Sequence, residues 1–147
     1  MKSYTDIEQS KALTKILPLE SADMWFGEPI KGIVKPFIGN YMLEMQCRED
    51  KDYFKLSAKM VSPAWSLATL LGILPNEIIT DDRFECHYQI DIRKYDGGDN
   101  TTLYQIAYGN NRGSSGSWHD MINTGEKESL IDCCVQIILK LHELKLL

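Results

Sequence analysis

Three places in the sequence carry residue types that could do chemistry. Cys86 and His87 are adjacent and supply the two side chains of a thiol nucleophile and its base. They lie in a stretch that alternates without error: Phe84, Cys86, Tyr88, Ile90 and Ile92 are apolar, and Glu85, His87, Gln89 and Asp91 are polar. Neighbours on such a strand point to opposite faces, so the pair cannot form a dyad. Cys86 then belongs to a core, and His87 to a wet row with Glu85, Gln89, Asp91 and Arg93. A surface histidine beside carboxylates is ordinarily just solvated, and a metal or general-base role is the sharper alternative. The second place is His119-Asp120, which could join His87 in a set that divalent metals accept if a last strand brought them together. Metal motifs normally take two ligands from one local element, so a polar loop end is the plainer reading.

The third place is the segment Asn110 to Ser117, in which Gly113, Ser114, Ser115 and Gly116 would let backbone amides approach an anion that Arg112 could pair. It lacks the lysine and the following helix of a phosphate loop, and Gly/Ser-rich stretches are commonly plain connections. Among the large aromatics, Trp65 reads as core, while Trp25 and Trp118 sit in irregular, Gly-rich surroundings where they either cap a core or line a contact patch. No catalytic residue, metal ligand or cofactor is assigned. The ligand-binding candidates are Arg112, Ser114, Ser115, Trp118, His119, Asp120 and His87.

The elements that must position these residues can be read in order. Thr5 with Glu8 forms a capping box for a helix ending near Leu17, ahead of Pro18. Leu19 to Asn40, punctuated by Gly27, Pro29, Gly32, Pro36 and Gly39, reads as an irregular, partly extended connection. Tyr41 to Cys47 and Phe54 to Met60 alternate on either side of Glu49-Asp50-Lys51-Asp52 and predict a hairpin. Ser62 and Pro63 suit the start of a chargeless helix from Ala64 to Leu74. The alternating strand around Tyr88 should pair with Thr102 to Gly109 across Asp96-Gly97-Gly98-Asp99-Asn100, whose glycines can take positive φ. Trp118 to Ile122 makes a short last strand. The closing helix runs from Ser129, with Asp132 completing its cap, to about Leu144.

With 147 residues, 44% hydrophobic and 25% charged, the chain fits one ordinary globular domain over 1–147. Nothing at the N-terminus reads as a signal peptide and no apolar stretch is long enough to cross a membrane, which predicts a cytoplasmic protein. Cys47, Cys86, Cys133 and Cys134 have no CxxC spacing and read as reduced thiols. The net charge of −5 resides wholly in residues 74–147, which hold seven basic and twelve acidic side chains. That balance disfavours nucleic acid as a partner. The seven carboxylates from Glu77 to Asp99 form a solvated face or a docking surface for a basic partner. The two apolar helices need cover, from the sheet or from a second copy docked on the Ala64 to Leu74 helix.

The stretch from Trp65 to Pro75 (Trp65-Ser66-Leu67-Ala68-Thr69-Leu70-Leu71-Gly72-Ile73-Leu74-Pro75) and the ending Leu130-Ile131-Asp132-Cys133-Cys134-Val135 through Leu141-His142-Glu143 resemble small uncharacterised bacterial proteins found with phage or mobile elements. The resemblance implies an intracellular α+β domain and brings no activity or catalytic residue with it. The elements predict an α+β fold in which an antiparallel sheet of four to five strands carries helices on one face, in the order α-ββ-α-ββ-(β)-α. The leading function is a non-enzymatic accessory module that binds another protein. The alternatives are a small-ligand or metal-dependent enzyme using the polar sheet face and the Gly/Ser-rich loop, and an acidic mimic of nucleic acid.

Overall fold

Asp6, and not Thr5, begins the first helix. In the computed structural model, which describes residues 2–28, 37–40, 59–80, 86–112 and 116–147, the Asp6 carboxylate accepts from Gln9 N and the Gln9 side chain accepts from Asp6 N, a complete capping box for α1 (Ile7–Leu13). Thr5 has other work. Its hydroxyl accepts from Trp65 N at 3.1 Å and meets the Ser10 hydroxyl at 2.8 Å, while its backbone N donates to Trp65 O. A fully buried threonine so engaged cannot also cap. The helix ends at Leu13, earlier than Leu17, and its last carbonyls are taken by turns through Leu17.

Contacts divide the chain into two units, Ser3–Leu70 and Met1–Lys2 with Leu71–Leu147. The first unit holds α1, a 3-10 turn at Leu19–Ser21, and an antiparallel sheet of β1 (Met24–Glu28), β2 (Phe37–Asn40) and β3 (Lys59–Ala64), in the order β2-β1-β3. Two of these strands fall where Gly and Pro predicted an irregular connection. Trp25 and Phe26 explain β1, since both are buried and an extended segment can anchor both. Ser62 and Pro63 do not open a helix; they are strand residues, with Pro63 opposite Trp25 on β3, at the edge of the described sheet where a missing N–H is tolerated. The helix α2 (Leu67–Ile73) starts four residues later, where Ser66 Oγ accepts from Thr69 N and Asp23 Oδ1 accepts from Ser66 N. The expected Tyr41 to Cys47 strand lies outside the described residues, as does the Phe54 to Met60 strand up to Lys59.

The second unit is a four-stranded antiparallel sheet, β4 (Glu77–Thr80), β5 (Cys86–Asp96), β6 (Thr102–Arg112) and β7 (Ser117–Asn123), hydrogen-bonded in chain order. The β5–β6 reversal uses the expected residues, with positive φ at Gly98 and also at Asp99 and Asn100. Tyr88, Ile106 and Tyr108 make the dry face, and the Tyr108 hydroxyl donates to Pro75 O at 2.6 Å. The dry row ends before the turn, because Ile92 is 46% exposed. On the β6 side lies α3 (Leu130–Glu143), whose Cys133 thiol donates to Tyr104 O. Its Ile131, Ile137, Ile138 and Leu141 are fully buried, and at about 1.5–3 kcal/mol each their burial rivals the net stability of a whole domain. Ser129 precedes α3 without a side-chain cap, and Asp132 instead pairs with Lys2 Nζ at 3.0 Å.

Together these elements are α+β with antiparallel sheets. The closing helix α3 buries seven residues, whereas α2 buries Leu70, leaves Ala68 and Gly72 exposed and holds its other residues half-buried. No helix among the described residues is long and apolar enough to cross a membrane.

Candidate functional site

The wet face of the four-stranded sheet is organised around Arg93. Strand alternation and the β5–β6 register place Gln89, Asp91, Arg93 and Tyr95 opposite Gly109, Ala107, Gln105 and Leu103. Four of the five N–H donors of the Arg93 guanidinium are engaged. Nε donates to Asp91 Oδ2 at 2.6 Å, Nη1 to Gln105 Oε1 at 3.1 Å, and Nη1 and Nη2 make a two-point bond with Asp120 at 3.1 and 2.7 Å. Tyr95 Oη donates to the same Gln105 oxygen at 2.8 Å. The guanidinium carbon stands 5.9 Å from the Trp118 ring centroid, within cation–π range. Trp118 Nε1 in turn donates to Asp120 Oδ1 at 2.7 Å, and Asn123 Nδ2 to Asp120 Oδ2 at 3.3 Å.

Electrostatics follow from this geometry. The hydrogen bonds from Arg93 hold the Asp120 carboxyl below the ordinary carboxylate range, against a smaller opposing effect of burial, and Trp118 and Asn123 add to the lowering. Arg93, bonded to Asp120 and Asp91, is held still more firmly charged than a free arginine. Both groups are therefore permanently ionised near neutral pH, which suits a fixed ion pair and not proton transfer.

A bulge makes the arrangement possible. Tyr108 faces Ile122, yet Gly109 faces Asp120, so Met121 is an extra residue on β7. Beyond it the faces exchange: Asp120 and Trp118 join Gly109 and Asn111 on the wet side, although Ile122 belongs with Tyr108. Gly109 is the floor for the indole. A Cβ there would lie 2.6 Å from Trp118 Nε1 and would also strike the His119 carbonyl oxygen, so only glycine admits this packing.

The same register separates the two histidines. His119 pairs with Asn110 on the opposite row and its Nε2 lies 3.2 Å from Ser117 Oγ, while His87 is on the wet face with Nδ1 3.0 Å from Glu77 Oε1. The structure thus brings Trp118 and Asp120 together but does not assemble His87, His119 and Asp120. Among the described residues no group of three His, Cys, Asp or Glu side chains is placed to hold a metal ion. Cys86 and His87 point to opposite faces, as their alternation requires, with Cys86 half-buried and His87 exposed. Arg112 ends β6 opposite Ser117, and Ser114 and Ser115 lie outside the described residues.

At its far end the face opens. Ladder pairing between β5 and β6 stops at Gln89 and Gly109, although both strands continue, β5 back to Cys86 and β6 on to Arg112. The parted strands leave a cleft of about 180 Å³ lined by His87, Gln89, Gly109, Asn110, Asn111 and Trp118. Asn110 spans the gap: its Nδ2 donates to His87 O, and its Oδ1 is buried with no partner. Asn110 opens the segment that the sequence marked as ligand-like, whereas Gln105 and Gly109 carry no signal there beyond a glycine at the end of an otherwise good strand. No family model, curated protein or solved structure matches the chain.

Proposed function

We propose that the chain is a non-enzymatic interaction module that docks another protein on the open face of its four-stranded sheet. The observation that carries this reading is the ordered patch of Arg93, Trp118 and Tyr95, tied together through Asp91, Gln105 and Asp120. Tryptophan, tyrosine and arginine are the side chains that most often dominate protein interfaces, and side chains already fixed lose little entropy on association. Ile79, on the wet side of the edge strand β4, is 50% exposed and extends the patch with apolar surface. The same groups serve catalysis poorly, because the charged members neutralise one another. Cys86, Cys133 and Cys134 are free thiols, in keeping with a module that works in the reducing cytoplasm.

The test is a photo-crosslinking side chain placed at Ile79 or Gln89 in the full chain, with Glu143 near the end of α3 as the control position. The face positions should trap one partner that the control does not. Titration of that partner should then show at least tenfold weaker binding by Trp118→Ala, about 1.4 kcal/mol or more. Equal labelling from all three positions, or unchanged affinity of the variant, would overturn the reading.

A further inference from the structure

We propose that the cleft between β5 and β6 receives a cationic side chain, an ammonium or guanidinium, from the docked protein. This deepens the docking reading and rests on it. The cleft lies where the β5–β6 pairing ends at Gln89 and Gly109, beyond which β5 stays paired with β4 and β6 with β7. Asn110 bridges the two strands there by donating from Nδ2 to His87 O, with its own Oδ1 buried and unpaired. An unpaired, buried acceptor on a residue that lines the floor of the cleft leaves uncompensated negative partial charge nearby, where the dielectric screening is weak. A cation bound above that floor is attracted by it without having to touch it.

The surrounding charges point the same way. Among the described side chains of this face, Glu77, Asp91 and Asp120 stand against Arg93 alone, and Arg93 is consumed by two of those three carboxylates. Glu77 Oε1 lies 3.0 Å from Nδ1 of His87, which lines the cleft, so its charge stands one side chain away. Gln89 and Asn111 add side-chain carbonyls that can accept hydrogen bonds at the rim. An anionic group would meet acceptors and carboxylates, and a neutral group would gain nothing from the field. A volume of about 180 Å³ admits one long side chain and not a folded segment.

The experiment titrates the whole protein with arginine blocked at both termini, and with equally blocked citrulline, which has nearly the same shape and no charge. The Trp118 indole N–H and the Gln89, Asn110 and Asn111 side-chain amides are followed by NMR. Blocked arginine should shift these groups saturably, and citrulline should bind at least about fivefold more weakly. Gln89→Glu should strengthen arginine binding about fivefold, and Glu77→Gln should weaken it about threefold, the size expected of partly screened charge pairs. The opposite signs keep the test decisive if one variant fails to fold. Equal binding of arginine and citrulline, or no shift at these groups, would overturn the proposal. The two readings fail separately: partner binding that depends on Trp118 but is indifferent to Gln89→Glu and Glu77→Gln preserves docking and removes the cleft, whereas indifference to Trp118→Ala removes docking itself.

Discussion

Replacing Gly109 with alanine is the most direct probe of the site, because a single methyl group attacks both the indole and the strand that carries it. The added Cβ lies 2.6 Å from Trp118 Nε1 and 2.7 Å from Trp118 Cε2, distances that real Cβ atoms do not show, and it also meets the backbone oxygen of His119. An indole can swing away, but a backbone carbonyl in a paired strand cannot do so cheaply. Overpacking of this kind costs about 1–3 kcal/mol. Moving the indole also breaks the Trp118 bond to Asp120, a hydrogen bond to a charged group worth roughly 1.5–3 kcal/mol. Some relaxation is shared between the two effects, so the loss should be about 2–4 kcal/mol. The assay is urea unfolding with the native Trp118 indole N–H resonance recorded beside it. Gly72→Ala is the matched control: nothing lies within 4 Å of its added Cβ, it lies in the last turn of α2, and it should be neutral or stabilise by up to about 0.5 kcal/mol. A Gly109→Ala protein within about 0.5 kcal/mol of the parent, the range of an inconsequential surface substitution, with its Trp118 resonance unmoved, would refute the packing argument.

The ion pair makes a pH prediction. The folded state depresses the Asp120 pKa, so its stabilising effect is fully present above the unfolded carboxylate value of about 3.9 and is lost as pH falls through the lower folded value. Asp120→Asn should cost about 1–3 kcal/mol at pH 7 in urea unfolding, and the gap from the parent should narrow below about pH 4; a gap constant down to pH 2 would sink the assignment. At the first helix, Asp6→Ala should lose about 0.5–2 kcal/mol as a missing cap. Thr5→Val should lose about 1–3 kcal/mol by leaving Trp65 N and the Ser10 hydroxyl without their partner, and calorimetry that found Thr5→Val neutral would contradict the structure. Burial pushes the Cys134 thiol up to about 12 and raises Cys133 as well, so site-resolved alkylation of native protein at pH 8 should modify half-buried Cys86 well before either.

Where a local pattern decides, the structure could be read from the sequence. The unbroken alternation about Tyr88, the Asp96 to Asn100 reversal and the closing helix fall within a few residues of their expected places, because period, turn chemistry and burial all agree there. The start of α1 and the stretch before α2 were decided by distant partners instead. Thr5 is a better cap than its use shows, but Trp65 claims its hydroxyl across 60 positions. Ser62-Pro63 is a good helix opening, but Trp25 lies opposite Pro63 in a sheet. No window along the chain contains either competitor.

The site shows the same division more sharply. Unbroken alternation back from Ile122 would put Trp118 and Asp120 on the dry face and His119 on the wet one, beside His87. One inserted residue at Met121 reverses that assignment. It turns His119 away from His87, delivers Asp120 to Arg93, and lays Trp118 across the one position, Gly109, that can take it. The bulge leaves almost no trace in local composition because its cause is the partner strand: Gly109 accepts the indole only if Trp118 is on its side, and Arg93 is neutralised only if Asp120 is. The polar row of β5 therefore acquires its partners from β7, through Asp120 on Arg93 and Trp118 over Gly109.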